Sequence, residues 1–374
     1  MTIGRAFASA TAAALALALA AGCGEKPVDT VPDWAEGVPQ RTLAVTDSIG
    51  IELGDSAYVF GQIAGVAWTP SGEIAVLDLK KCSVLFYDRE GTYLRSVGRQ
   101  GSGPGEFLMP SAFAFRRSDG SMAVADAMAA KIMVFDSTGT PSGEISGFFP
   151  TVPIQISALD SAAIVGLKPD FEQNDQGMFM GFTLARWEGS SIEPSVVYHS
   201  EMGPFDPTDL ASTMSSVFSF ATTPDGRVFR APMSADEYLV ECYEPDGTVF
   251  LSIREPYEPV PKTEEEMADE KAFIEERMAA SGTPPEMISW EPDPMRSAIS
   301  GLLTDSDGNV WVRRGWITDA VYDVFDTAGT LQYTVTVDYP GSTEYWSVVS
   351  GGDGFLAFDA NPETYGRVFR LELR

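Results

Sequence analysis

The stretch Val97–Pro110, VGRQGSGPGEFLMP, decides how this chain is read. Gly98, Gly101, Gly103 and Gly105 let the backbone take positive φ and pass close to a neighbour. Phe107 and Pro110 end the loop with one buried anchor and one rigid exit. A phosphate-binding loop is the first alternative to test. The stretch has no Gly-Lys-Ser/Thr, its glycines do not fall at G-x-G-x-x-G, and an apolar strand-like run follows where a helix would be needed. The reading that remains is a link between successive blades of a repeat.

Working outward, the same unit recurs. First-hairpin turns fall at Pro70-Ser71-Gly72, Ser118-Asp119-Gly120, Asp160-Ser161, Pro224-Asp225-Gly226, Asp307-Gly308-Asn309 and Gly352-Asp353-Gly354. Second-hairpin turns follow at Glu90-Gly91, Thr138-Gly139, Glu188-Gly189, Asp246-Gly247 and Ala328-Gly329. A four-strand unit repeated this way predicts an all-β, six-bladed β-propeller, and a repeat array removes the difficulty of building one core from so long a chain. Over Gly98–Pro110, Asp119–Gly120, Ala123–Asp126 and Ile132–Gly139 the sequence resembles the NHL-type six-bladed repeat of the TolB-like propellers. The sixth unit stops after its third strand, Arg367–Arg374, so Thr42–Glu52 is expected to supply the fourth and close the ring.

In such an array both sets of hairpin turns share one face. The extra length lies in the other connections: 167–177, 201–216, 231–237, 255–295 and 361–366. Insertions confined to one face mark it as the binding face. The largest, about 255–295, is expected to hold a helix over Glu264–Ala280, opened by a Thr263/Glu266 capping box, with Met267, Ile274 and Met278 on one side.

Polar residues near the second-strand ends are the binding candidates: Asp78, Lys80, Asp126, Lys131, Lys168, Arg230, Arg313, Arg314 and Asp359, with Lys81 beside Lys80 and Trp316 two residues after Arg314. Basic residues are scarce in this chain, so their gathering there suggests an anionic or sugar-like ligand, with the arginines and Trp316 suited to a carboxylate or a stacked ring. The alternative is that Asp78 and Asp126 cap loops, as the resemblance implies, and that the basic groups pair with acidic neighbours.

Met1–Gly22 carries Arg5, an Ala/Leu run and small residues before Cys23, the pattern of an export signal. Cys after Gly22 makes it resemble a bacterial lipoprotein signal, which implies lipidation at Cys23 and, with Gly24 next, the outer membrane. Residues 23–40, with Pro27, Pro32 and Pro39, read as a tether, leaving 41–374 for the propeller. The formal charge of −29 argues against nucleic acid, and against the membrane except through the anchor. Cys82 and Cys242 fall in the first and fourth blades, too far apart to bridge, and are expected to be free and buried.

The function expected is a cell-envelope binding or scaffolding module that takes a protein, or a small anionic or sugar-like ligand, on the long-loop face. No cofactor and no metal is expected. A hydrolase or lactonase acting on a sugar-like substrate at the channel mouth is the second reading, with Asp78, Asp126 and Asp359 as its carboxylates. His199 stands alone, which excludes a multi-histidine zinc centre within one chain.

Overall fold

The computed structural model describes residues 32–205, 217–280, 291–315, 319–361 and 364–374. The chain divides into two units, Met1–Gly37 and Val38–Arg374. The first is described only over its last residues, where Asp33–Ala35 forms a 3₁₀ turn; the expected signal segment, Cys23 and most of the tether lie outside the described residues.

The second unit begins with β1 (Gln40–Ile49) and then builds blades in order. Blade 1 is β2 (Ile63–Trp68), β3 (Ile74–Asp78), β4 (Ser83–Tyr87) and β5 (Tyr93–Val97). Blade 2 is β6 (Pro110–Phe115), β7 (Met122–Asp126), β8 (Lys131–Phe135) and β9 (Pro141–Ser146). Blade 3 is β10 (Gln155–Ala158), β11 (Ile164–Asn174), β12 (Gly177–Trp187) and β13 (Val196–Pro204). Blade 4 is β14 (Phe218–Thr222), β15 (Val228–Pro232), β16 (Tyr238–Tyr243) and β17 (Val249–Glu255). Blade 5 is β18 (Ile299–Thr304), β19 (Val310–Arg314), β20 (Val321–Phe325) and β21 (Leu331–Asp338). Blade 6 is β22 (Trp346–Gly351), β23 (Gly354–Asp359) and β24 (Val368–Leu373), completed by β1.

The expected closure is present, two residues earlier than Thr42. β1 pairs antiparallel with β24, Leu43 opposite Leu373, and so serves as the outer strand of blade 6. It also pairs in parallel with β21, Gln40 opposite Thr334 through Ala44 opposite Asp338. That second ladder was not expected from the sequence. It fuses blades 5 and 6 into one eight-stranded sheet beside four four-stranded ones.

The core lies between blades. Strands β3 and β7, IAVLD and MAVAD, are buried throughout because both faces of each middle strand meet a neighbouring sheet. Between blades 1 and 2, Phe86, Val97, Phe107, Val124 and Phe135 form one cluster; between blades 5 and 6, Leu43, Trp311, Tyr322, Val335, Trp346 and Phe369 form another. The link at 98–109 works as its glycines and Phe107 suggested. Gly98 has φ +86°, and a Cβ there would lie 2.0 Å from the Phe107 ring, which is itself fully buried.

Antiparallel alternation puts the turns at 69–73, 116–121, 223–227 and their equivalents on one rim. The described ends of the long connections leave from the other, with 206–216, 281–290 and 362–363 outside the described residues. One differs from expectation. Residues 167–177 are not a loop: β11 and β12 run on past the sheet as a hairpin paired to Asn174–Gly177. The insertion does hold a helix, α1 (Glu264–Ala280), with Glu266 Oε2 accepting from the Thr263 N–H at 2.7 Å. Met267 and Ile274 are half-buried on one side, Met278 lies outside the described side chains, and between them sits Glu270, 5% exposed, which meets Lys262 at 2.6 Å, while Phe273 packs on Tyr345 at 4.6 Å. Cys82 and Cys242 are free and buried.

Candidate functional site

The six first strands surround a central cavity of about 500 Å³. Its wall is set by a pattern in those strands. The second residue is Ser in four of them: Ser111, Ser219, Ser300 and Ser347. In β10 the neighbouring Gln155 takes the place, and in β2 Ala64 does. Register shifts at Ile63/Gly65, Pro110/Ala112 and Ile299/Gly301 leave Ala64, Ser111 and Ser300 out of the ladder, the effect of a bulge that re-aims a side chain. All of these line the cavity at its end nearer the long connections.

At the short-turn end the hydroxyls are spent on joining blades. Ser157 Oγ bonds Thr222 Oγ1, Thr304 Oγ1 donates to Thr222 O at 2.7 Å, and Ser350 Oγ donates to Thr304 O. At the other end Ser111 Oγ and Ser300 Oγ make long bonds, each 3.4 Å, to Ala125 O and Arg314 O, and keep their acceptor lone pairs. Gln155 Nε2 donates to Phe220 O at 3.1 Å and Ser219 Oγ accepts from the Leu302 N–H at 2.9 Å, while Ser347 is exposed. Apolar walls, Phe113, Ile154, Val348 and Phe358 among them, alternate with these groups. The mouth is therefore a ring of neutral donors and acceptors over apolar surface, the composition of a small-molecule site.

Among the described residues, Arg313 is the one charged residue lining the cavity. Its Nη1 donates to Trp346 O at 2.7 Å and its Nη2 to Glu344 O at 2.7 Å and Thr343 O at 3.3 Å. It thereby fixes the β21–β22 connection on which α1 rests through Tyr345.

The other residues singled out from sequence lie behind the wall or on the rim. Asp78 is fully buried, and its carboxylate accepts from the N–H groups of Gly61 at 2.8 Å, Gln62 at 3.3 Å, Lys80 at 3.0 Å and Lys81 at 3.2 Å. Asp126, also fully buried, accepts from Leu108 at 2.7 Å, Met109 at 3.0 Å and Ala129 at 3.0 Å. Asp359 accepts from the Asn361 N–H at 2.9 Å. Lys80 is exposed on the β3–β4 connection. Lys131 pairs with Glu144 at 3.0 Å and Lys168 with Asp170. Arg230 meets Glu241 at 2.6 Å and lies over the Phe218 ring at 4.6 Å. Arg314 and the Tyr238 hydroxyl both bond the buried Asp323. Trp316 lies outside the described residues.

His199 stands edge-on to Phe218 at 5.3 Å between blades 3 and 4, away from the cavity wall. Burial, followed by the Arg230 charge, holds its pKa below the usual imidazole range. Among the described residues no three His, Cys, Asp or Glu side chains come together as metal ligands. No described helix is long and apolar enough to cross a membrane.

Fold and cavity define the class: a six-bladed β-propeller with a polar central mouth. Residues 52–162 match the model of a family described as a 6-bladed beta-propeller. No curated protein matches the chain. Among solved structures, the chain is similar to an exported protein from Bacteroides fragilis, at 12% identity and TM-score 0.48 over 89% of this chain and 95% of that one. It is also similar to a gluconolactonase from Xanthomonas campestris, at 12% identity and TM-score 0.45 over 88% and 97%. A calcium-binding protein, regucalcin, from Agrobacterium tumefaciens is similar at 11% identity and TM-score 0.43 over 88% and 94%.

Proposed function

We propose that this chain is an exported, lipid-anchored propeller of the NHL-type, TolB-like kind that works as a binding module and takes a hydroxylated, sugar-like ligand at the mouth of its central cavity. The observation that carries this reading is the ring of Ser111, Gln155, Ser219, Ser300 and Ser347, one from each of five blades, around a cavity with Arg313 as its charged member. Neutral donors and acceptors set against apolar wall match the alternating hydroxyl and C–H faces of a sugar ring. A carboxylated sugar would add charge complementarity at Arg313. Among the described residues the wall holds no carboxylate or imidazole, so what is described offers hydrogen bonds rather than an acid–base pair, which favours binding over hydrolysis. The export reading rests on Met1–Cys23, with the lipid on Cys23 and the outer membrane as destination.

The test is titration calorimetry of the mature chain with neutral and carboxylated mono- and disaccharides, beside a Ser347→Trp variant that fills the mouth. Binding that disappears in the variant, with the fold intact, supports the reading. Saturable binding that survives the substitution, or none by any sugar, sinks it.

A further inference from the structure

Among the described residues, most of the large apolar side chains left in water lie on the long-connection rim. They concentrate on blades 1 to 3. Leu53 on the β1–β2 connection is 85% exposed, Met128 on the β7–β8 turn 65%, and Phe149 on the β9–β10 link 88%; Met109, Ile154 and Phe171 join them at lower exposure. Single exposed apolar residues need no explanation, but a concentration on one rim does.

The backbone segments that carry Met109, Met128 and Phe149 are tied down. The buried Asp126 carboxylate bonds the backbone of Met109 and of Ala129, fixing the two segments that present Met109 and Met128. The link carrying Phe149 is tied to blade 2, where the Phe148 N–H donates to Ala130 O at 3.1 Å, and to blade 3, where Thr151 Oγ1 donates to Pro169 O. Phe148 is buried edge-on against Trp187, while the next residue stands in water. A rigid chain presenting an unburied Phe loses little entropy when that ring is covered.

The same rim has a second half of different chemistry. On α1 and its approach, Glu258, Glu264, Glu265, Asp269 and Glu276 are exposed. The cations nearby are already engaged: Lys262 with Glu270, Arg296 with Glu266, Lys271 with Glu291.

We propose that this rim docks a basic protein segment, its apolar side chains covering Leu53, Met128 and Phe149 and its Lys/Arg flank facing α1. The inference rests on the reading of this face as the binding face but uses residues other than the cavity ring. Charge complementarity selects the partner. A second copy of this chain would set acid against acid, and an anionic bilayer would be repelled.

The experiment uses the mature full-length chain and three labelled synthetic peptides, read by fluorescence anisotropy at about 0.15 M salt. One is amphipathic Leu/Lys, one is Leu/Glu of equal apolar content, and one is Ser/Lys without apolar residues. The Leu/Lys peptide is expected to bind roughly ten-fold or more tighter than either other. The triple variant Leu53→Ser, Met128→Ser, Phe149→Ser should lose that margin, while Val249→Ser with Phe250→Ser on the outer strand β17 keeps it. Unchanged affinity in the triple variant, equal loss in the β17 variant, or preference for the Leu/Glu peptide overturns the proposal. So does binding to phosphatidylglycerol vesicles, or a dimer that dissociates in the triple variant. Sugar titration of the triple variant separates the two readings: intact sugar binding with lost peptide binding means only the rim was altered. Sugar binding absent even in wild type, with rim-dependent peptide binding, leaves the docking surface standing alone.

Discussion

Leu43→Ala tests the closure of the ring. Leu43 is fully buried in β1, in ladder register with Leu373 on one side and Val337 on the other, within the cluster that holds Trp311, Trp346 and Phe369. Truncating a buried Leu removes its transfer free energy and leaves a cavity among rigid neighbours, a cost of about 2–5 kcal/mol; we take about 3. The unfolding entropy of a unit this long is about 0.7 kcal/mol/K, so the melting temperature should fall by about 4 °C. Thr46→Ala in the same strand is the control, since Thr46 is exposed and should change stability by no more than about 0.5 kcal/mol. The assay is denaturant unfolding of both variants, followed by limited proteolysis within residues 40–49. Leu43→Ala should unfold earlier and be cut sooner. If its loss matches that of Thr46→Ala, β1 does not close the ring and the reasoning fails.

Asp126→Ala should cost about 3–5 kcal/mol, because three partly buried N–H groups lose their shared acceptor; hydrogen exchange at Leu108, Met109 and Ala129 would show it, and unchanged protection there would refute the assignment. Gly98→Ala forces a Cβ into the Phe107 ring at positive φ and should destabilise by about 2–4 kcal/mol, a result that equal stability in urea would contradict. Burial pushes the Cys242 thiol up to about 12, so at pH 8 its alkylation should wait on unfolding; rapid native-state labelling by mass spectrometry would contradict this. His199 has a pKa lowered in the fold, first by burial and then by Arg230, so its contribution to stability is present above the unfolded value and fades as pH falls below about 6.5. His199→Gln should remove that part of the acid slope, and a slope identical to wild type would argue against it.

What could be read beforehand followed from local chemistry. Gly98 and Phe107 needed no partner to be recognised, and the Asp-Gly turns at Asp246-Gly247 and Asp307-Gly308 mark their rim by residue type alone. The β11–β12 extension was missed because Glu172, Gln173 and Asn174 look like loop residues; they stand in a ladder whose two faces are both wet. The inward side of α1 is legible from Met267, Ile274 and Met278, but its most buried member among the described side chains is the charged Glu270, acceptable there because Lys262 meets it. The cavity ring was present in the sequence as Ser at the second place of four first strands, yet small hydroxyls carry no charge or motif to draw notice. Alignment of the first strands alone would have revealed it.

The position of β1 has a mechanical consequence. Its amino-terminal end, with Leu373 nearby, sits on the rim of short turns; β21 flanks it over Gln40–Ala44 and β24 over Leu43–Ile49. A pull on the amino-terminal end of β1 therefore runs along the strand axis, against the β21 seam over its first half and the β24 seam over its second. Bonds so arranged resist in shear, sharing the load instead of parting one by one, and the pull draws on the ring at the seam that shuts it.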